Sequence, residues 1–356
     1  MSGFLKNEFT KPGKTVHIIA DRNPYHKIIF GPLVASWERL ARESNVFTAV
    51  FGDSYDVGRA LAELNEVPAY AVYEIDHTAF DAHQGPQILR ILIEEIFARS
   101  TEDILWKDYI LKAYLEPRWS FRNGCRYSTK GGRCSGDVDT TFGNTILSEA
   151  LVRTVAKLSG VQTRQLCKGD DNVIVQTTAG TYNITIFKQL GFDVKCIERP
   201  SVCQAEFCSG FMLPCTINGN YVYKHVRVPW KVIRHTPWAL GPLGLAKRRN
   251  RFREKVYMEV LANNCVPIIG ALCRKWARYA GVPDVDRIWN GEDRHRIKYH
   301  SHHSGKFPVV TDDARTMFAA RFGISIRDQI AAEQHLDNLD AYSPIYHPTL
   351  IQLSTV

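Results

Sequence analysis

An α+β fold, with antiparallel strands in its middle and helices towards its end, is predicted by three stretches of the chain. Gln165 to Gln176 comprises two β-prone runs around Gly169-Asp170-Asp171-Asn172, the signature of a hairpin. Ala69 to Ile75 is a β-rich run that ends on Asp76, and helical periodicity follows over Gln87 to Ala98. From about Pro229 the chain turns helical and basic.

Composition narrows the class. With 356 residues, 45% hydrophobic and 23% charged, the chain can bury a large core and is not a disordered or fibrous sequence. No apolar run approaches the roughly 18 residues of a membrane span. The nine cysteines include no Cys-x-x-Cys pair, and Cys203, Cys208 and Cys215 fit no common zinc spacing. Their odd number, without a signal peptide, points to a soluble protein in a reducing compartment. A net charge of +8 favours a polyanionic partner without identifying one, and solubility alone would account for it equally.

Taken in order, residues 5–27 are basic, with a short strand predicted over Val16 to Ala20. Lys6, Lys11, Lys14, Arg22 and Lys27 suit either a phosphate-bearing ligand or a solvated loop. Amphipathic helices are predicted over Gly31 to Glu43, through Leu33, Val34, Trp37 and Leu40, and over Asp53 to Leu64, with Asp53 or Ser54 as N-cap. Another covers about Glu102 to Tyr114. Gly124 to Gly136 reads as a Gly/Ser-rich basic loop that runs into a helix over Thr140 to Leu158. Gly143 inside that helix marks a close approach by a ligand or another backbone. Thr140 and Asn144, at i and i+4, project from one face.

Beyond the hairpin come a short helix at Thr181 to Leu190 and a strand at Gly191 to Ile197 carrying Lys195. Strands at Glu206 to Leu213 and Tyr221 to Val228 are joined around Asn218-Gly219. Lys247 to Lys255 is the densest positive run, suited to a solvated helix face or an RNA backbone. It leads into helices at about Phe252 to Asn263 and Val266 to Tyr279, and two more follow at Asp312 to Phe322 and Ile326 to Leu336. His295, His300, His302 and His303 read as an exposed cluster without zinc, and His77 and His83 as turn or core histidines.

The chemistry concentrates on carboxylates. Asp170 and Asp171 at a hairpin tip repel each other, and a divalent cation would relieve that repulsion. Asp76 at a strand end and Asp81 five residues on supply two more acids. Gly-Asp-Asp alone is a weak signal, because ordinary turn chemistry favours the same residues.

Three elements in order change that weight: Asp76-x₄-Asp81 after a strand, Ser135-Gly136-x₃-Thr140-x₃-Asn144-Thr145 opening a helix, and Gly169-Asp170-Asp171 on a hairpin. Together they resemble motifs A, B and C of the RNA-dependent RNA polymerases of positive-strand RNA viruses, most closely those of tombusvirus-like viruses. Gly191 with Lys195 is similar to motif D, and Phe207-Cys208-Ser209-Gly210 to motif E. Arg22-Asn23-Pro24 with Leu33 resembles the end of the family's basic fingers motif. The resemblance covers about residues 5–230.

It implies a right-hand polymerase: partial fingers over 1–68, a palm with an antiparallel sheet over 69–228 (with a fingers insertion at about 100–130), and a helical thumb over 229–356. The implied activity is template-directed RNA synthesis in viral RNA replication by two-metal nucleotidyl transfer. Two Mg²⁺ ions, replaceable by Mn²⁺, would be held by Asp76, Asp170 and Asp171. Lys195 is implied as the acid for the pyrophosphate leaving group, and Arg22 and Lys14 as a cradle for the triphosphate. Asp81, Ser135, Thr140 and Asn144, with Gly136 beside them, would bind the nucleotide and sense its ribose 2′-OH. Implied partners are the RNA template and product strand, nucleoside triphosphates and other viral replicase segments. The implied location is the host cytoplasm, in membrane-associated replication complexes reached through other segments or proteins. Polymerases of this kind carry a sizeable fingers region ahead of the basic motif, and here Met1 lies only a few residues ahead of it. The chain is therefore expected to be the C-terminal part of a longer replicase, made by readthrough or frameshift, or a fragment of one. A non-catalytic RNA-binding palm and thumb is the alternative.

Overall fold

Strand positions follow directly from apolar patterning, and the acidic residues fall at one end of those strands. A computed structural model describes residues 2–5, 18–44, 52–97, 104–238, 244–281, 283, 291–301 and 306–355. These fall into two compact units. One combines the chain before residue 52 with Val67–Arg199, and the other combines Gly52–Glu66 with the chain from Pro200 onward.

The first unit begins with β1 (Ser2–Leu5), β2 (Ile18–Asp21) and α1 (Pro24–Ser44). α2 (Ser54–Asn65) belongs to the second unit. β3 (Ala71–His77) returns to the first and leads to α3 (Pro86–Ile91), which continues as a π-helical stretch over Leu92–Phe97. Then come α4 (Ile104–Leu115), β4 (Arg118–Phe121), β5 (Arg126–Ser128) and α5 (Thr140–Ser159). The hairpin is β6 (Thr163–Lys168) and β7 (Asp171–Gln176), and the unit closes with α6 (Thr185–Gln189) and β8 (Val194–Arg199).

Two sheets organise this unit. The antiparallel one runs β6-β7-β3-β8, which places β7 and β3 in the centre. β7 is buried on both faces from Asn172 to Gln176, as a central strand requires. α5 packs Ile146, Leu151, Val152 and Val155 into one core with Ile75, Ile174, Phe187 and Phe192. The other sheet runs β2-β1-β4-β5.

Helix α1 starts seven residues before the expected Gly31. Asn23 accepts the Tyr25 N–H at 2.9 Å and Pro24 takes the first helical position, so this pair is the true start. Pro32 sits inside the helix. The loop expected over Gly124 to Gly136 contains β5, which pairs with β4. Leu158, at the last turn of α5, lies exposed.

His26 on α1 is buried against Phe30, Tyr109 and Tyr114, with no hydrogen-bond partner for either ring nitrogen among the described residues. Desolvation, with Arg22 adding to it, lowers its pKa to about 4 from the usual 6.5. Below pH 6.5 the unfolded chain takes up a proton that the folded one resists. Stability therefore falls between pH 6.5 and 4 and stops falling from this cause below 4, with a total of about 3 kcal/mol. His26→Phe is expected to flatten that slope in denaturant titrations, and an unchanged slope would refute the assignment.

The second unit is built on β9 (Gly210–Ile217) and β10 (Asn220–Arg227), with β11 (Val309–Val310) on the other edge of β9. Asn218 (φ +55°) and Gly219 (φ +81°) close the β9–β10 hairpin, as a type I′ turn demands of both central residues. β9 starts at Gly210 and not Glu206, because Cys208 and Ser209 both take positive φ and make a turn instead. Helices follow at α7 (Pro229–His235), α8 (Leu245–Asn263), α9 (Ile269–Ala280), α10 (Gly291–His300), α11 (Asp312–Phe322), α12 (Ile326–Asn338) and α13 (Pro348–Thr355). His300 is buried, not part of an exposed cluster, while His302 and His303 lie outside the described residues.

Asp53 caps α2 with a reciprocal capping box to Asp56. A Cβ on Gly58 of this helix would lie 2.7 Å from the N, Cα and C of Lys224 on β10. Gly58→Ala gains about 1 kcal/mol of helix propensity. Backbone cannot yield as a side chain does, so a net loss of about 1–3 kcal/mol is expected in urea titrations.

Candidate active site

Register brings the expected residues together. Asp76 on β3 is paired with Asp171 on β7 and, on its other side, with Lys195 on β8. Residues directly opposite in an antiparallel pair share a face with Cα atoms about 4.5–5.5 Å apart. Asp171, Asp76 and Lys195 therefore form one row across the sheet end. Lys195 Nζ stands 4.0 Å from Asp76 Oδ2, with both side chains largely exposed.

The β6–β7 turn consists of Gly169 and Asp170. Positive φ is confined to Gly169 (+62°), the first central position, where a type II′ turn wants glycine. Helix α5 anchors this turn. Thr145 Oγ1 accepts the Gly169 N–H at 2.8 Å, and Ser148 Oγ donates to Asn172 Oδ1 at 2.8 Å. Asn172 Nδ2 in turn donates to the Asp170 carbonyl at 3.0 Å. These bonds fix where the two acidic side chains emerge.

Asp170 lies close enough to two other carboxylates to feel their charge. Desolvation raises its pKa above the ordinary carboxylate value, and the charges of Asp81 and Asp76 add to it. The Asp81 carboxyl is also raised by desolvation, against the Asn144 hydrogen bond and the Arg133 charge, which lower it. Hard oxygen donors gathered in mutual repulsion are a donor set that suits Mg²⁺. Among the described residues no three such side chains already enclose an ion position.

Asn144 Nδ2 donates to Asp81 Oδ1 at 2.7 Å, so motifs separated by 63 positions meet as expected. Thr140 does not join them: its hydroxyl donates to the Asp137 and Cys134 carbonyls of the preceding loop. Ser135 is exposed. Gly136 lies against β2, where a Cβ would sit 2.6 Å from the Ala20 carbonyl oxygen. Lys14 lies outside the described residues.

Arg22 is placed otherwise than a triphosphate cradle requires. It is buried, paired with Asp137, bonded to the Ala113 carbonyl and stacked 4.2 Å over the Tyr114 ring. An arginine on a surface loop and one bolted into a core have the same letter in a sequence. His77 and His83 are not grouped with the carboxylates. His77 is buried among Phe80, Phe187 and Phe192, and His83 Nδ1 meets the Ala79 carbonyl at 3.0 Å.

Residues missed from sequence surround the Asp81–Asn144 pair. Gln84 bonds to Asn144, Arg133 bonds to Gln84 and Asp139, and Tyr114 donates to Asp139. The one available hint was Gly143, whose Cβ would meet Arg133 Nη2 at 2.6 Å. The close approach it marked is a buried guanidinium.

The basic run in the second unit divides in two. Lys247, Arg248, Arg249 and Asn250 are exposed, whereas Arg251 pairs with Glu254 and Arg253 donates to the Ala280 carbonyl. No helix among the described residues is long and apolar enough to cross a membrane.

A family described as viral RNA dependent RNA polymerase matches residues 75–343. A putative RNA-directed RNA polymerase of barley yellow dwarf virus (isolate PAV) is 24% identical over 370 residues, covering 95% of this chain and 41% of that protein. The RNA-directed RNA polymerase of tomato bushy stunt virus (strain Cherry) is 26% identical over 374 residues, covering 95% and 43%. That of groundnut rosette virus (strain MC1) is 24% identical over 394 residues, covering 96% and 42%. The chain spans about two-fifths of the length of these relatives.

Proposed function

This chain belongs to the family of viral RNA-dependent RNA polymerases, and from that premise we propose that it carries the nucleotidyl-transfer site for template-directed RNA synthesis. The observation that carries this reading is the row Asp171–Asp76–Lys195 with Asp170 at the adjoining turn. On it, the β6-β7-β3-β8 sheet is the palm, the helices from α7 onward are the thumb, and the chain before β3 contributes to the fingers.

Asp76 and Asp170 would hold Mg²⁺ with Asp171 alongside, and a crowded set of carboxylates supports that role. When bound, two such ions would neutralise the triphosphate and ease ionisation of the primer 3′-OH. The chain's own groups do the positioning. Thr145 and Ser148 hold the acidic turn to α5, so the backbone that carries the carboxylates is fixed before reaction. Lys195, beside Asp76, holds a proton for the departing pyrophosphate.

Asp81 and Asn144 would bind the ribose 2′-OH. No described residue pairs with Asp81 Oδ2, which leaves an acceptor for a hydroxyl donor. A site that bonds a hydroxyl rejects sugars lacking it, because its own polar groups are left unpaired. The exposed cations Lys247, Arg248 and Arg249 suit contact with an RNA backbone.

The test is incorporation of labelled nucleotide on a primed homopolymeric RNA template. Incorporation that requires Mg²⁺ and stops with chelator is expected. RNA binding with no incorporation under any divalent cation would favour the non-catalytic alternative.

A further inference from the structure

The buried groups behind Asp81 and Asn144 form a directional chain. Arg133 is buried, and its Nε donates to Gln84 Oε1 at 2.8 Å while its Nη1 donates to Asp139 Oδ2 at 2.6 Å. A guanidinium has donors and no acceptor, so Gln84 must turn its carbonyl oxygen towards it. Gln84 Nε2 is thereby left facing Asn144 and donates to Asn144 Oδ1 at 2.7 Å. Asn144 must then aim its own Nδ2 at Asp81, as it does at 2.7 Å. The direction of every bond is fixed from the far end by a group that cannot accept.

We propose that Gln84 is a positioning residue for sugar discrimination: it locks the Asn144 amide so that the Asp81–Asn144 pair presents a single polarity to the ribose. This rests on the reading of Asp81 and Asn144 as the ribose-binding pair. Gln84 is fully buried and Asn144 nearly so, so neither amide has water to satisfy it in the opposite orientation. Without the Gln84 donor, Asn144 is free to turn over and place its carbonyl oxygen against the Asp81 carboxylate. Asp81 then loses its donor and its aim. A ribonucleotide loses its 2′-OH bond, whereas a deoxyribonucleotide has none to lose.

Gln84→Glu is the sharpest variant. The new carboxylate keeps an ionised partner for Arg133 but has no hydrogen to give Asn144 Oδ1, so the chain of donors is cut at one bond. Gln84→Met removes both bonds at similar volume and serves if the first variant does not fold, as judged by circular dichroism. The measurement is equilibrium dialysis of ATP and of 2′-deoxy-ATP against the 356-residue chain with Mg²⁺ and an oligouridylate template. The readout is the ratio of the two dissociation constants.

The unsubstituted chain should prefer ATP, and Asp81→Ala and Asn144→Ala should bring that preference close to one. Gln84→Glu should lower it about tenfold and Gln84→Met severalfold, the range for a polar contact to a charged group lost or misdirected. Affinity for 2′-deoxy-ATP should hold within about twofold, whereas a merely structural lesion would weaken both nucleotides alike. An unchanged ratio in folded Gln84 variants, with Asp81→Ala effective, overturns this inference and leaves the ribose-binding pair standing. No preference in the unsubstituted chain, or none lost in Asp81→Ala and Asn144→Ala, overturns that pair and this inference together.

Discussion

Asp170→Asn is expected to lower nucleotide incorporation by at least about 10³-fold, the order seen when a charge aimed at a transferring group is removed. The substitution preserves shape and the backbone of the Gly169-Asp170 turn, which is held by Thr145 and Asn172. It also removes a carboxylate whose charged form is disfavoured in the folded chain by desolvation, Asp81 and Asp76. Stability should therefore hold or rise slightly while activity collapses. If RNA is held by surface cations, as proposed, its affinity should persist. Near-normal incorporation would remove Asp170 from the metal-binding set.

Arg133→Met is expected to destabilise the first unit by about 3–5 kcal/mol, since removing one partner of a buried ion pair strands the other charge. Asp139 is fully buried, and among the described residues its carboxylate would keep only the Tyr114 hydroxyl. Gln84 Oε1 would lose its donor as well. Urea titration of the variant measures this directly. A loss below about 1 kcal/mol, the range of an exposed pair, would show that Asp139 is solvated in the folded chain.

The acidic site was legible because its residues sit at fixed points of strands and turns. Strand periodicity placed Asp76 at the end of β3, and the hairpin turn placed Asp170, so pairing did the rest. Helical spacing singled out Asn144 together with Thr140, yet only Asn144 reaches Asp81, while the Thr140 hydroxyl turns to the preceding loop. Arg22 was not legible, because charge in a sequence does not say whether an acid waits beside it, and Asp137 lies 115 positions away. Gln84, Arg133 and Asp139 escaped for the same reason: they interact across loops whose paths carry no periodic signal. α1 was misplaced by a local ambiguity, since both Asn23-Pro24 and Gly31-Pro32 offer a proline at a helix start. α13 was not among the predicted helices.

The row of paired residues across β7, β3 and β8 makes chain length, more than residue identity, the guarded quantity. Side chains alternate with a period of two, so a slip of one residue sends a whole strand's set to the opposite face. Exchanging Val72 for isoleucine alters packing by one methylene. Deleting a single residue between Val72 and Ile75 would turn Asp76 away from Asp171 and Lys195 while its apolar neighbours swung outward. Among copying errors in the gene for this chain, one-codon insertions and deletions in Ala71–His77 should thus be purged far more strictly than conservative codon changes in the same seven positions.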